Sequence, residues 1–449
     1  MFSVDEIVEK LRGTDSLALI AKGAGVAIAI QAAGVLVRYA LQVLLARWLG
    51  PAEYGKYAFA LSWAQVLSVP AGLGLATASL RFIPEYRARA EFDKLRGFMR
   101  RSWQLVLMGG FASGLIGLGI ALIFQHARSP FAVPLMAGMA IVPLLALLTL
   151  QSETARAYGR VSLSLLPMWL ARPALVIIFS ALAVWFTGAL NSVQVLLFVA
   201  LALLLVSAAQ LVRIHRHVPA PARAAAPEFR TFHWLRISTP LLLIAGFSML
   251  LSETDILMVG GFLGPSNAGV YSAAVRIATL VGFVLISVNV LAAPTFASLY
   301  AQHRREELQR LLARLSHLIF WPSLLLALLM IVLSRYLLLL FGPAFMQARL
   351  PLIVLILGQL VLAATGSVNY LMDLTGHQDQ SAKVLGVCAV LNVVLNYVGI
   401  QAFGLAGAAI ATALTLLVCS VWLHHLVFKN LKVRPSILSS LKTRAGRSG

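Results

Sequence analysis

Residues 49–57 read LGPAEYGKY and residues 263–271 read LGPSNAGVY, so the pattern LGPxxxGxY occurs twice in the chain. Each copy contains a Gly-Pro pair, which interrupts helical structure, and each lies between two long apolar stretches. A weaker match aligns Ala189-Leu190 with Gly404-Leu405. The repeat predicts two related halves with a sharp turn at the same place in each.

The chain around the two copies is strongly apolar. Of its 449 residues, 60% are hydrophobic and 12% are charged, and the mean hydropathy is +0.88. Soluble domains are about 45–50% apolar and about 25% charged. This composition excludes a soluble enzyme and a disordered chain. The apolar runs are continuous, which argues against a membrane β-barrel and predicts an all-α polytopic membrane protein.

One crossing of a membrane needs about 20 apolar residues, and the apolar runs predict twelve such transmembrane helices. They are 17–49, 57–80, 103–125, 131–152, 161–187, 192–212, 237–262, 268–297, 315–341, 350–373, 384–402 and 405–427. A segment rich in proline and arginine, 213–236, divides them into two sets of six. We therefore expect an N-terminal lobe at 1–217, a linker at 218–232, a C-terminal lobe at 233–428 and a basic tail at 429–449. The linker shows no apolar face, so we expect it to tether the lobes without docking.

The positive charges predict the orientation of the chain. Of the 36 lysines and arginines, 27 fall on one side of the predicted helices and five on the other, which places both termini in the cytoplasm. The net charge of +20 then indicates contact with anionic lipids rather than nucleic acid. Since each half has six helices, the halves insert in parallel around a pseudo-two-fold axis, as in alternating-access transporters with a central cleft.

Two further segments are expected to lie on the membrane surface. The first residues, 1–13, carry three acidic side chains and no cleavage site, and they predict a short amphipathic segment. Segment 84–103 places Phe92, Leu95, Met99 and Trp103 on one helical stripe among basic residues. It predicts one interfacial amphipathic helix on the cytoplasmic leaflet.

Three stretches carry a resemblance to a known family. They are ARWLGPAEYGKYAFAL (46–61), ETDILMVGGFLGPSNAGVYSAAVRIA (253–278) and DLTGHQDQSAKVLGVCAVLNVVLNYVGIQAFGLAGAAIATAL (373–414). They resemble the polysaccharide-transporter branch, which includes the O-antigen flippases, of the multidrug/oligosaccharidyl-lipid/polysaccharide flippase superfamily.

The resemblance implies a flippase and not an enzyme. Members of that branch move polyprenyl-pyrophosphate-linked oligosaccharides across the bacterial inner membrane for O-antigen, capsule or exopolysaccharide assembly. It implies a polysaccharide polymerase and chain-length machinery as partners, no cofactor or metal, and Na⁺ or H⁺ as a coupling ion. Two alternatives stay open: a Na⁺- or H⁺-coupled extruder of drugs or organic cations with the same fold, and a membrane-embedded polysaccharide polymerase or ligase.

Ionisable residues inside a membrane are costly and mark functional sites. Counting about 1.5 Å of rise per residue from the two LGP turns places Arg38, Glu253, Asp255 and Arg276 in one layer. We expect Arg38 and Arg276 to bind the pyrophosphate, and Asp255 or Glu253 to pair with them or couple an ion. The alternative is an ion pair between helices that only holds the two lobes together. Glu253 and Asp255 are two residues apart, so at most one points into the cleft.

Three more polar residues are candidate substrate contacts. Lys22 lies near the predicted inner mouth, where it would receive the pyrophosphate or extend its amine to the interface. Asn392 and Asn396 lie four residues apart on one helical face. They would either bind sugar hydroxyls or join two helices by hydrogen bonds. Arg172 is expected nearer the cytoplasmic end of its helix.

Overall fold

The structure is a computed structural model that describes residues 14–126, 128–302 and 304–433, and within these ranges all regular elements are helices. The α-helices are α1 (Thr14–Gly72), α2 (Leu75–Ala88), α3 (Phe92–His126), α4 (Ala132–Met139), α5 (Ile141–Ala157), α6 (Val161–Leu166), α7 (Arg172–Thr187), α8 (Ser192–His217), α9 (Ala220–Ala224), α10 (Thr231–Leu263), α11 (Pro265–Ala301), α12 (Arg305–Val332), α13 (Ser334–Phe341), α14 (Arg349–Thr365), α15 (Val368–Leu374) and α16 (Gln378–Leu431). A π-helical segment, Pro167–Ala171, joins α6 to α7, and a 3₁₀ segment, Pro343–Ala348, precedes α14.

Among the described residues, ten helical segments are long and apolar enough to cross a membrane. Two of them, Ala29–Ala88 and Gln378–Leu431, are far longer than one crossing requires. Gly50 breaks the first with φ 70° and ψ 171°, and Gly404 breaks the second with φ 58° and ψ −132°. Dividing both at these glycines reconciles ten segments with the twelve expected helices. The number of crossings, the lobe boundaries and the side of the termini stay predictions.

The predicted sharp turn is present in both copies of the repeat. Gly264 ends α10 with φ 84° and ψ 179°, close to the conformation of Gly50, and a proline begins the next helix in each case. Only glycine adopts such a backbone conformation without strain. We call the end of the bundle that carries Gly50 and Gly264 the turn end, and the opposite end, with the arginine-rich segments, the basic end.

The two turns pack directly against each other at the turn end. A Cβ on Gly55 would lie 1.8 Å from the carbonyl oxygen of Pro265, and one on Gly269 would lie 2.1 Å from that of Pro51. Both distances are far below van der Waals contact, so only glycine fits at either position. The helices that begin at the two turns therefore touch through their backbones.

At the basic end the linker is docked, so the expectation that it has no docking face is wrong. Ala222 in α9 is buried, the Glu228 amide donates to the Asp93 carbonyl at 3.1 Å, and Arg96 donates to the Ala225 carbonyl at 2.5 Å. A Cβ on Gly97 would lie 1.7 Å from the Glu228 carbonyl oxygen, so only glycine at this position leaves room for the linker. Small residues supply the docking face that a search for large apolar residues misses.

The expected amphipathic helix at 84–103 is also wrong. Chain direction changes between α2 and α3, where Ala90 has φ 56°. Leu95 is fully buried and Phe98 packs edge-on against Trp234 with ring centroids 5.3 Å apart. This segment is therefore not one continuous amphipathic helix: Leu95 faces the protein interior, and Met99 and Trp103 are half-buried in the lining of a cavity.

Two expectations fall on parts of the chain that the structure does not describe. The segment expected to lie on the membrane, 1–13, and most of the basic tail, 434–449, lie outside the described residues. The backbone of Lys22 belongs to α1, but its side chain lies outside the described part.

Candidate functional site

A cavity of about 200 Å³ lies between helices of the N-terminal half and α11. Three arginines line it: Arg38 from α1, Arg172 from α7 and Arg276 from α11. Its other polar lining includes Gln42, Gln65, Tyr39, Tyr57 and Thr279. The structure thus brings together both arginines that the sequence selects for the substrate headgroup, and it adds a third.

Arg38 is held over an aromatic ring. Its guanidinium carbon lies 4.9 Å from the centroid of the Trp169 ring, a cation–π geometry. Gly34, one helical turn before Arg38, leaves the space for Trp169, since a Cβ there would lie 2.7 Å from the Trp169 Cβ. Trp169 belongs to the π-helical segment, a form that is frequent at functional sites. Gly34 and this local widening of the helix together orient the Arg38 head.

Arg172 begins α7, directly after the π-helical segment. The sequence places Arg172 nearer the cytoplasmic end of its helix, and that depth stays a prediction; the structure shows that it lines the same cavity as Arg38. Arg38 and Arg172 make no ion pair with a carboxylate among the residues that the structure describes. The count of helical rise from both ends of 161–187 would have placed Arg172 near the membrane centre.

Arg276 is the cavity arginine that has a carboxylate partner. Its Nη2 lies 3.8 Å from Oε2 of Glu253, and the Ser62 hydroxyl donates to the same oxygen at 2.5 Å. Glu253 is buried, whereas Arg276 keeps a quarter of its side chain exposed. Ser62 belongs to the N-terminal half and Glu253 to the C-terminal half. This carboxylate therefore links the halves and holds Arg276 at once.

Asp255 points elsewhere, into the interior of the C-terminal half. Its Oδ2 accepts hydrogen bonds from the Tyr271 hydroxyl at 3.0 Å and the Thr412 hydroxyl at 2.9 Å. Its Oδ1 is buried and has no hydrogen-bond partner in the described part of the chain. Of the two candidate carboxylates, Glu253 is thus the partner of the cavity arginine, and Asp255 forms a separate polar site.

The two asparagines do not join the cavity. Asn392 donates to the Thr415 hydroxyl at 3.3 Å, and Asn396 donates to the Asn392 carbonyl at 3.0 Å. Both asparagines are buried in the part of α16 that precedes its break at Gly404, whereas Thr415 lies beyond that break. The geometry matches contact between helices and gives no support to their expected binding of sugar hydroxyls, which stays a prediction.

The electrostatics of the cavity favour an anion. Three guanidiniums line one cavity, and Glu253 neutralises one of them. A cavity with an excess of positive charge attracts and concentrates anions and rejects cations. Arginines present several donors in a planar fork that matches phosphate oxygens. The arrangement is suited to a phosphate-bearing group inside the membrane.

Comparison with known proteins supports a transporter. The chain matches the family "Polysaccharide biosynthesis protein" over residues 20–300, more than half its length, and the MatE family over residues 240–398. It is 26% identical over 179 residues to the "Probable low-salt glycan biosynthesis flippase Agl15" of Haloferax volcanii. That match covers 39% of this chain and 37% of the relative, so the chain is aligned with little more than a third of it.

Solved structures with the same fold are transporters. An inward-facing multidrug resistance MATE family transporter of the MOP superfamily matches with a TM-score of 0.75 at 15% identity, over 91% of this chain and 99% of that chain. A MOP superfamily transporter from Pyrococcus furiosus, titled for the reverse polarity of its binding pocket, matches with a TM-score of 0.66 at 14% identity, over 90% and 95%. The chain is a multi-pass membrane protein that belongs to the polysaccharide biosynthesis protein family.

Proposed function

We propose that the protein flips a polyprenyl-pyrophosphate-linked oligosaccharide across the bacterial inner membrane by alternating access, for O-antigen, capsule or exopolysaccharide assembly. The observation that carries this proposal is the convergence of Arg38, Arg172 and Arg276 on one cavity inside the bundle. Arginines among membrane-spanning helices are costly unless an anion neutralises them. The pyrophosphate of a lipid-linked glycan is an anion of this kind.

The size of the cavity supports a site for the headgroup alone. Sites that enclose drug-sized molecules measure about 300–1,000 Å³, and this one measures about 200 Å³. It is large enough for a compact anionic group and too small for an oligosaccharide. The glycan and the polyprenyl chain therefore lie outside it, which makes recognition depend on the pyrophosphate and leaves the sugar composition free.

The Glu253–Arg276 pair gives the site a way to release its cargo. Without substrate, Arg276 is held by Glu253, which is itself fixed by Ser62 of the other half. A pyrophosphate that competes for Arg276 would loosen this link between the halves. Substrate binding and movement of the halves are then coupled through one carboxylate.

We also propose Asp255 as the site at which H⁺ or Na⁺ couples to transport. Its unpartnered buried oxygen, beside the hydroxyls of Tyr271 and Thr412, would accept a proton or ligate a hard cation. Because Thr412 lies beyond the break at Gly404, its hydrogen bond to Asp255 joins the last part of α16 to α10, and an ion bound at Asp255 would change that contact.

The alternative of a cation extruder is less well supported. A site for organic cations requires an excess of carboxylates facing aromatic rings. The described cavity has three arginines instead, and Glu253 is already paired with one of them.

The decisive experiment measures lipid-linked glycans in cells that lack the gene. The proposal expects lipid-linked oligosaccharide to accumulate on the cytoplasmic leaflet, with polysaccharide export restored by the wild-type gene. Purified protein in vesicles should then expose a pyrophosphate-linked glycolipid to a glycan-binding lectin added outside. Unchanged glycolipids with altered drug tolerance would support the extruder. Glycan chains that remain short while the lipid-linked units reach the outer leaflet would support a polymerase.

A further inference from the structure

A second cavity, of about 370 Å³, lies at the basic end, away from the central site. The first turns of α3 and the last turns of α8 form two of its walls, and the linker with α9 forms the third. Its basic residues are Arg96, Arg100, Arg223 and His215. Asp and Glu are absent from its lining, so within the described chain it is a pocket of one charge sign.

The arginines of this cavity differ in how they are held. Arg96 is anchored, since it donates to the Ala225 carbonyl at 2.5 Å. Arg100 and Arg223 are exposed, and neither makes an ion pair among the residues that the structure describes. Two free guanidiniums beside a fixed one leave donors available for a phosphate group.

The remaining walls are apolar and lead to the lipid-facing surface. Met99, Trp103, Leu211 and Ile214 line the cavity beside the arginines. Along the same helices, α3 and α8 expose large apolar side chains, which include Met108, Phe111, Leu204, Leu205 and Leu211. A molecule with a charged head in the cavity would have its apolar part against these exposed faces.

We propose that this cavity binds the phosphate headgroup of an anionic phospholipid, with its acyl chains against the exposed faces of α3 and α8. Basic pockets between membrane helices on the cytoplasmic side bind such headgroups, and tryptophan at the interface stabilises the glycerol level. Because Val218, Ala222 and Arg223 of the linker region form one wall, a bound lipid also holds the linker in its docked position. The inference is independent of the cargo proposed for the central cavity.

The test is native mass spectrometry of the purified full-length protein, titrated with dioleoyl phosphatidylglycerol or dioleoyl phosphatidylcholine. The variant R100Q/R223Q removes the two unpaired guanidiniums of the cavity. The control R213Q/R216Q removes the same charge from exposed positions of α8 outside the cavity. Loss of a charge-assisted hydrogen bond to the phosphate weakens binding at least about fivefold, whereas the control positions do not line the cavity. We expect the first phosphatidylglycerol to bind the wild type and the control alike, and R100Q/R223Q at least about fivefold more weakly.

Three results would overturn the proposal. One is equal affinity for phosphatidylcholine, and another is equal loss in the two double variants. The third is displacement of the lipid by an equal concentration of sn-glycerol 3-phosphate, which would show a site for a free phosphate rather than a lipid. If R100Q/R223Q is recovered poorly, the single variants R100Q and R223Q serve instead. Both positions are exposed, and each is expected to weaken binding while a normal elution volume confirms folding.

Discussion

Gly55 and Gly269 face each other across the turn end, each against the carbonyl oxygen of the proline that begins the other turn. A Cβ added to Gly55 would lie 1.8 Å from the Pro265 oxygen, and one added to Gly269 would lie 2.1 Å from the Pro51 oxygen. The two contacts are therefore reciprocal. The two positions are equivalent in the LGPxxxGxY repeat. Their contact closes the turn end by direct backbone packing between the halves, and a conformation open at that end must break it.

Gly55→Ala should therefore favour a conformation that is open at the turn end. An overpacked contact costs about 1–3 kcal/mol, which shifts a two-state equilibrium at least about fivefold. The measurement is the labelling rate of a cysteine introduced at Thr279, a cavity residue, by an impermeant thiol reagent applied from the turn end. We expect faster labelling and slower transport. Gly261→Ala is the control, because a Cβ there meets nothing within 4 Å. Equal labelling of both variants would show that the contact does not close the protein.

Replacing any one of the three cavity arginines by alanine should abolish glycan export while the protein still inserts. Each charge-assisted hydrogen bond contributes about 1.5–3 kcal/mol, which corresponds to a loss of at least about tenfold per residue. Arg→Lys should restore part of the activity at Arg38 and Arg276. The measurement is polysaccharide export in a complemented deletion strain, normalised to membrane levels. Arg335→Ala, at an exposed position outside the cavity, is the control. Full export by Arg38→Ala and Arg276→Ala would reduce the site to a structural role.

Variants of the Glu253–Arg276 pair should distinguish an effect on folding from an effect on transport. Arg276→Ala leaves a buried carboxylate without its cation, at a cost of about 3–5 kcal/mol, and should lower the membrane level. Glu253→Gln combined with Arg276→Gln removes both charges and should restore that level without restoring export. Quantitative blotting and export assays on the same cells measure both. A double variant that exports normally would contradict the proposed role of Arg276.

Asp255→Asn should uncouple transport from its driving ion. The amide retains an oxygen for the hydrogen bonds of Tyr271 and Thr412, so we expect a nearly normal membrane level. Glycolipid flipping in vesicles should lose its dependence on an imposed Na⁺ or H⁺ gradient. Glu153→Gln, at a half-buried carboxylate of α5 paired with Arg156 at 3.6 Å, is the control. A variant that still responds fully to either gradient would place the coupling site elsewhere.

Gly97→Ala should release the linker from α3. An added Cβ would lie 1.7 Å from the Glu228 carbonyl oxygen, which has no room to withdraw while the linker is docked. Trypsin should then cleave at Arg223 and Arg230 at least about fivefold faster, the effect of about 1 kcal/mol on a docking equilibrium. Gly119→Ala on the same helix is the control, since a Cβ there meets nothing within 4 Å. Equal cleavage of both would show that Gly97 does not hold the linker.

The sequence predicts the helical bundle, the two turns and the layer of charges because these depend on local composition and on distance along one helix. It identifies Arg38 and Arg276 by counting residues from Gly-Pro turns that the structure confirms. The choice between Glu253 and Asp255 depends on how α10 is rotated against α1 and α16, which no local pattern fixes. The place of Arg172 in the cavity depends on how the π-helical segment and α7 pack against α1, which no local pattern predicts. The docked linker depends on Gly97, whose role is visible only with its partner in place.

The reciprocal contact of the two turns has the form of an isologous interface, in which the same patch is used on both sides. A chain of six helices with one such turn would make the same contact with a second copy of itself, as a two-fold homodimer. Joining two copies in one chain removes the requirement that they stay identical. The two copies of the repeat lie 214 residues apart. At this offset, Arg38 corresponds to Ser252 and Arg172 corresponds to Gly386, so the second half has no arginine at either position. Because the two halves are joined in one chain, their contact at the turn end can stay symmetric while their interior residues differ. The first half then carries arginines without carboxylate partners, and the second half carries the carboxylates Glu253 and Asp255.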